Sequence, residues 1–276
     1  MGVKLETISL RNSDDLPLRV DLRHDPDQAC RGKIVVCHGF KGFRRWGFFP
    51  WLGERLAAAG WMSAVLDFSM NGIGEDPLEF DRLDLFECNT YSRELLDLEQ
   101  VIDHVRATGP TDLPLGLVGH SRASVDVVVR AAEDPSIQAV VTWNGVGSPL
   151  RFSARQLEEW EQQGRLEFTN ARTGQKMAMD FGFVSDVRNH EARLDLGRAA
   201  QSMSAAHLIL HATDDMAVPV EDSHALVAGR SGSARCRRVE LECTTHTFGA
   251  VHPFVGSTPA LERALELTLG WFDEHL

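Results

Sequence analysis

Ser121 stands in the string Leu115–Ser124, LGLVGHSRAS, where a short apolar run ends in Gly-His-Ser-Arg-Ala and a helical pattern follows. A serine on so tight a strand-to-helix turn is strained, and its hydroxyl is exposed above the strand end. Strand and helix pack closely at such a turn, so the residues two before and two after must be small; Gly119 and Ala123 fill those places. A serine before a helix also serves as a simple N-cap, so the string needs partners elsewhere. A hydroxyl is a poor nucleophile at its own pKa and needs a base, which in turn needs an acid to orient it. In His207–Pro219, HLILHATDDMAVP, a strand-like run ends at Asp214 and Asp215, either of which qualifies as that acid. Beyond the run Arg238–Cys243 lies Thr244-Thr245-His246-Thr247-Phe248, where a loop would bring the His246 imidazole over Ser121. The order Ser, Asp, His suits a catalytic triad built on a parallel sheet. His252 is the rival base; its other role would be hydrogen bonding near the same loop.

Acyl transfer also needs donors for a developing oxyanion, and losing one costs about 3–4 kcal/mol of transition-state stabilisation. The backbone N–H of Arg122, next after the nucleophile, is one candidate. The second is the N–H of Phe40, in the loop Val36-Cys37-His38-Gly39-Phe40-Lys41-Gly42, where glycines let amides turn inward. His38 reads as a buried orienter of that loop and His120 as packing beside the nucleophile. The Arg122 guanidinium either pairs with a structural carboxylate or touches substrate. Lys41, Arg44 and Arg45 form either a solvated basic turn or a rim that recognises a substrate carboxylate or phosphate. Trp143 and Asn144, at the end of the strand-like run Ala139–Trp143, are expected to face the cleft as a substrate pocket.

The elements that must position these groups alternate. Strand-like runs occur at Lys33–Cys37, Met62–Phe68, Leu115–Val118, Ala139–Trp143, His207–His211 and Arg238–Cys243, and their continuous apolar character suits strands buried on both faces. Helical stripes lie between or after them at Ser92–Arg106, Ala123–Glu133 and Pro259–His275. This alternation predicts an α/β fold with a doubly wound, mostly parallel sheet. The first ~30 residues read as an antiparallel pair at the sheet edge. Residues 149–203 break the alternation and are too long for a simple connection, so they are expected to form a cap or lid inserted into a core of residues 1–148 and 204–276. Two short amphipathic pieces, Gln156–Gln163 and Leu194–Met203, lie inside it. Its Phe152, Trp160, Phe168, Met177, Met179, Phe181 and Phe183 would pack it onto the core or wall a pocket.

Taken together, HGFKG, GHSRA, HATDDMAVP and TTHTFG resemble the α/β-hydrolase superfamily, in its serine-esterase branch related to dienelactone hydrolases and prolyl-oligopeptidase-like esterases. The resemblance runs from about Lys33 to the C-terminus. It implies an α/β-hydrolase fold, a Ser121–His246–Asp215 triad (Asp215 rather than Asp214, as the second acidic position before x-x-Val-Pro) and no cofactor. The chain departs from the pattern at Ala123 and at Ala212, where the family often has Gly. Dienelactone hydrolases proper use a cysteine nucleophile, unlike Ser121. The activity implied is hydrolysis of small to medium carboxylic esters through an acyl-enzyme. A thioesterase, a small-peptide or aminoacyl hydrolase, and a non-catalytic ligand-binding protein on the same fold are the alternatives.

Composition bounds the partners. Of the 276 residues, 28 are Lys or Arg and 40 are Asp or Glu, for a formal charge of −12. That disfavours nucleic acid and anionic membrane surfaces. The charge is uneven: residues 75–103 hold ten acidic and two basic residues, whereas residues 150–200 hold eight of each. Five widely spaced cysteines without a CxxC, and an N-terminus without a basic-then-apolar block, lead to an expectation of a cytoplasmic protein. No HExxH or similar ligand spacing occurs, so no metal is expected, and Gly72-Ile73-Gly74 lacks dinucleotide-loop spacing. The expected partner is a small-molecule ester.

Overall fold

The computed structural model describes residues 2–227, 230 and 232–276. Along the chain run β1 (Lys4–Arg11), β2 (Pro17–His24), β3 (Gly32–Cys37), α1 (Phe49–Ala58), β4 (Trp61–Leu66), α2 (Leu83–Glu87), α3 (Tyr91–Ala107), β5 (Leu115–His120), α4 (Ser124–Glu133) and β6 (Ile137–Trp143). There follow α5 (Ala154–Gln163), β7 (Arg165–Thr169), β8 (Lys176–Asp180), α6 (Gly182–Asn189), α7 (Glu191–Leu194) and α8 (Leu196–Ser202). The last elements are β9 (Ala206–Ala212), α9 (Asp222–Val227), β10 (Cys236–Leu241) and α10 (Pro259–His275).

Eight strands form one sheet in the order β1-β2-β4-β3-β5-β6-β9-β10, with β7 and β8 as a separate antiparallel hairpin. The six strands from β4 to β10 are parallel; β1 and β2 are the antiparallel edge. Every residue of β3, β4, β5 and β9 is buried, because helices cover both faces and alternate side chains feed opposite layers. Val35 and Cys37 of β3 join the layer under α3 and α4, while Ile34 and Val36 join the one under α1 and α10. No helix among the described residues is long and apolar enough to cross a membrane.

Between β6 and β9, the two expected amphipathic pieces are α5 and α8, and the pattern missed the β7–β8 hairpin. Its strands are five residues long, and β7 alternates between exposed and half-buried positions, so the apolar signal is weak. Ser153 and Gln156 form a reciprocal capping box on α5, and Gly164 ends that helix at φ +73. Trp160 donates Nε1–H to the Met179 carbonyl at 3.0 Å and stacks on Phe183, tying helix to hairpin. Helix α8 lies against α4 of the main sheet layer, so only the earlier part of this segment reaches the strand ends.

Candidate active site

Ser121 leaves β5 at φ +57 on a single 3-10 turn (Ser121–Ala123) that runs directly into α4. This left-handed conformation strains any residue with a side chain, and close packing enforces it. A Cβ on Gly119 would sit 2.6 Å from the Ala123 carbonyl oxygen and 2.7 Å from Val127 Cγ2. Ser121 Oγ lies 2.9 Å from His246 Nε2, and His246 Nδ1 lies 2.7 Å from Asp215 Oδ2. The other oxygen of Asp215 accepts the amides of Ala217 at 2.8 Å and Val218 at 2.9 Å. Burial works to raise the Asp215 pKa, but the His246 hydrogen bond and these amides outweigh it and hold the carboxyl below its ordinary value. Asp214 is exposed, and among the described residues its side chain meets only Thr213.

His246 sits on the β10–α10 connection, and its own carbonyl is strapped down twice. His120 Nε2 lies 2.9 Å from it and Asn144 Nδ2 donates to it at 2.7 Å. Burial, reinforced by the neighbouring His246, pushes His120 down to about 3, so it is neutral and free to donate Nε2–H. Asn144 Oδ1 accepts from the Ala212 amide at the end of β9. The expectation that Trp143 and Asn144 face the cleft is therefore not met. Both are fully buried; Trp143 points into the layer under α10, where Nε1–H donates to Thr268 at 3.0 Å, and Asn144 acts inside the protein. His252 does not reach Ser121: it stacks on Trp46, and its Nδ1 accepts the Gly47 amide at 2.9 Å.

On the other side of Ser121, a Cβ on Gly39 would lie 2.8 Å from both the His120 carbonyl oxygen and Ser121 Cβ. Only glycine permits that approach, which seats Phe40 beside Ser121. His38 is buried, with Nδ1 3.0 Å from the Gly39 carbonyl and Nε2 facing the Phe68 amide and Asn71. Of the three expected rim cations only Lys41 reaches the cleft. Arg44 is buried between Asp21 and Asp67, and Arg45 pairs with Asp21 at 3.2 Å. The Arg122 guanidinium pairs with Glu94 at 3.1 Å and lies over the rings of Tyr91 and Phe183. Burial lowers its pKa, but Glu94 first, together with Tyr91 and Asp126, more than compensates and holds the guanidinium above its ordinary value. Glu94, Tyr91 and the turn at residues 170–172 had no chemical signature in the sequence, and Asn144 had none for the role it takes. Among the described residues, no cluster of three or more His, Cys, Asp or Glu is placed to hold a metal.

No family model and no curated protein matches the sequence. Solved structures do match in shape over almost the full length. The esterase domain of a Rhodothermus marinus protein superposes with a TM-score of 0.67 at 17% identity, covering 99% of each chain. Est1E from Butyrivibrio proteoclasticus, with ferulic acid bound, gives 0.69 at 21% identity, covering 97% of this chain and 98% of its own. A dienelactone hydrolase from Anabaena variabilis gives 0.60 at 19% identity over 100% of both. The chain has the α/β-hydrolase fold. In this α/β-hydrolase fold Ser121 lies between two hollows that share Phe40, Lys41, Ser121 and His246. The larger, about 330 Å³, is walled mainly by Val146, Phe152, Met179, Phe183 and Val218, with Arg122 and Arg151 at its sides. The smaller, about 260 Å³, runs between Trp46 and Phe49 on the core and Asn170, Ala171 and Arg172 on the β7–β8 turn.

Proposed function

We propose that the chain is a serine hydrolase that cleaves carboxylic esters of small molecules through an acyl-enzyme. The observation that carries this reading is the continuous hydrogen-bonded line from Asp215 Oδ2 through His246 to Ser121 Oγ, with the serine strained at the strand end. His246 accepts the Ser121 proton as Oγ forms a bond to the ester carbonyl carbon. Asp215 keeps Nδ1 of His246 protonated and stabilises the imidazolium. The amides of Phe40 and Arg122 receive the oxyanion. As the tetrahedral centre collapses, the C–O bond to the alcohol breaks and His246 gives its proton to the departing oxygen. Water then adds to the acyl-enzyme with His246 as base, releasing the acid and restoring Ser121.

The hollows on either side of Ser121 provide room for the two halves of an ester, and the larger one suits an apolar half. Esterases recur among the structural neighbours, and the ferulic acid bound by Est1E is a carboxylic acid, the class of product this reaction releases. A fluorophosphonate probe tests the proposal. Folded protein should be labelled at Ser121, and the Ser121→Ala variant should neither label nor hydrolyse p-nitrophenyl esters. An unlabelled wild-type serine would instead make the protein a ligand-binding member of the fold. Comparing oxygen esters, thioesters and aminoacyl amides under the same conditions ranks the scissile bond.

A further inference from the structure

Four cations reach the walls of the two hollows, and they are of two kinds. Arg122 is matched by Glu94, and Arg151 by Asp222 at 3.0 Å. Lys41 and Arg172 have no ion pair among the described residues, and both line the smaller hollow. We propose that this smaller hollow is a subsite for a carboxylate carried by the ester substrate, received by Lys41, Asn170 and Arg172. The proposal rests on the hydrolase reading and specifies its substrate as an anionic ester.

Among the described residues, neither hollow has an Asp or Glu in its wall, although the chain carries 40 of them. Lys41 sits at φ +58, a costly conformation for a residue with a Cβ, and its Nζ lies over the rings of Phe40 and Phe168 at 5.5 and 5.7 Å. Burial pushes its ammonium down from the ordinary value. A half-dehydrated cation held only by ring faces gains more from an arriving anion than a hydrated one does.

Arg172 is held in place by its turn. Asn170 Oδ1 accepts the Arg172 amide at 3.1 Å, the Asn170 amide donates to the Gln175 carbonyl at 2.8 Å, and Gln175 Nε2 donates to the Phe80 carbonyl of the core at 2.7 Å. The guanidinium lies over Phe43 at 5.9 Å. Asn170 is 5% exposed, and with Oδ1 engaged its Nδ2 is left as a donor without an acceptor among the described residues. Two cations without an ion pair among the described residues, Lys41 and the exposed Arg172, therefore line one hollow beside Ser121 together with the buried Asn170. A planar carboxylate satisfies all three donor types.

Two pairs of esters test this and separate an anionic acyl half from an anionic alcohol half: monoethyl glutarate against diethyl glutarate, and butyryloxyacetate against its methyl ester. The wild-type protein should hydrolyse the acid of one pair with kcat/KM about tenfold or more above its neutral partner, mostly through a lower KM, and high salt should erode that ratio. The ratio should fall toward one in Lys41→Gln, in Arg172→Gln and in the double variant. Equal rates within both pairs, or a ratio that survives the double variant, overturns the subsite and leaves the hydrolase reading intact. If no ester is turned over, calorimetry of the same four compounds with Ser121→Ala decides. Tighter binding of an acid than of its neutral partner supports the subsite although the hydrolase reading has failed; no difference overturns both.

Discussion

Asn144 and His246 are 102 residues apart in the chain and are joined by a 2.7 Å hydrogen bond from the Asn144 amide group to the His246 carbonyl oxygen. The same Asn144 side chain accepts the Ala212 amide at the end of β9, and its backbone is held at φ +49. The loop carrying the imidazole is therefore positioned from two strand ends at once. Asn144→Ala removes a donor from His246 and leaves the buried Ala212 N–H unmatched, at a cost of about 1–3 kcal/mol in unfolding free energy. We expect kcat to fall about tenfold or more, since small misplacement of a reacting group is expensive, with KM little changed. Unaltered kcat in a folded variant would contradict this positioning role.

Gly39→Ala would force a methyl group to within 2.8 Å of Ser121 Cβ and the His120 carbonyl oxygen. Both neighbours belong to the strained turn, so the loop bearing the Phe40 amide must retreat. If that amide is an oxyanion donor, kcat should drop about a hundredfold or more, while circular dichroism reports an intact fold. Activity within a factor of two of wild type would exclude Phe40 as a donor.

The Glu94–Arg122 pair is almost fully buried, and Asn89 donates to the second Glu94 oxygen at 2.8 Å. Glu94→Ala leaves a buried guanidinium without its carboxylate, a loss of about 3–5 kcal/mol. Glu94→Leu combined with Arg122→Met should recover much of that loss, because apolar replacements remove both desolvated charges. Urea denaturation of the three proteins measures it; a double variant no better than Glu94→Ala would show that the pair adds more than it costs.

Two histidines make stability fall in mild acid. Burial pushes both His120 and His207 down to about 3, whereas an unfolded histidine titrates near 6.5. Their neutral forms belong to the fold, so the stabilisation is complete above about pH 6.5 and is lost as pH falls from there toward 3. Each contributes a slope of up to about 1.4 kcal/mol per pH unit. His207 meets Thr142 inside the core at 3.1 Å, away from Ser121 and His246. His207→Leu with Thr142→Val should flatten the dependence of unfolding free energy on pH between 6.5 and 4. An unchanged slope would refute the assignment.

The Ser121 turn is legible in the sequence because its cause is local. A buried strand, a helix and two small residues within five positions suffice to describe it, and Gly119 meets Ala123 and Val127 a few residues away. The parallel strands are legible for a similar reason: burial on both faces leaves a run of apolar residues. The aspartates stand just after such a run, whereas His246 follows the edge strand β10, which is polar and half-exposed. Between Asp214 and Asp215 the residues alone left the choice open. The fold distinguishes them by cupping one oxygen of Asp215 with the Ala217 and Val218 amides while Asp214 faces water. Trp143 and Asn144 were expected in the cleft because they end a strand. Only packing shows that the first is drawn under α10 and the second bonds between strand ends. Arg44 reads as a rim cation until β2 supplies Asp21 and the end of β4 leads to Asp67. Contacts of this kind join residues far apart in the chain, and neither composition nor periodicity records them. The same holds for the turn that carries Asn170 and Arg172 to Ser121.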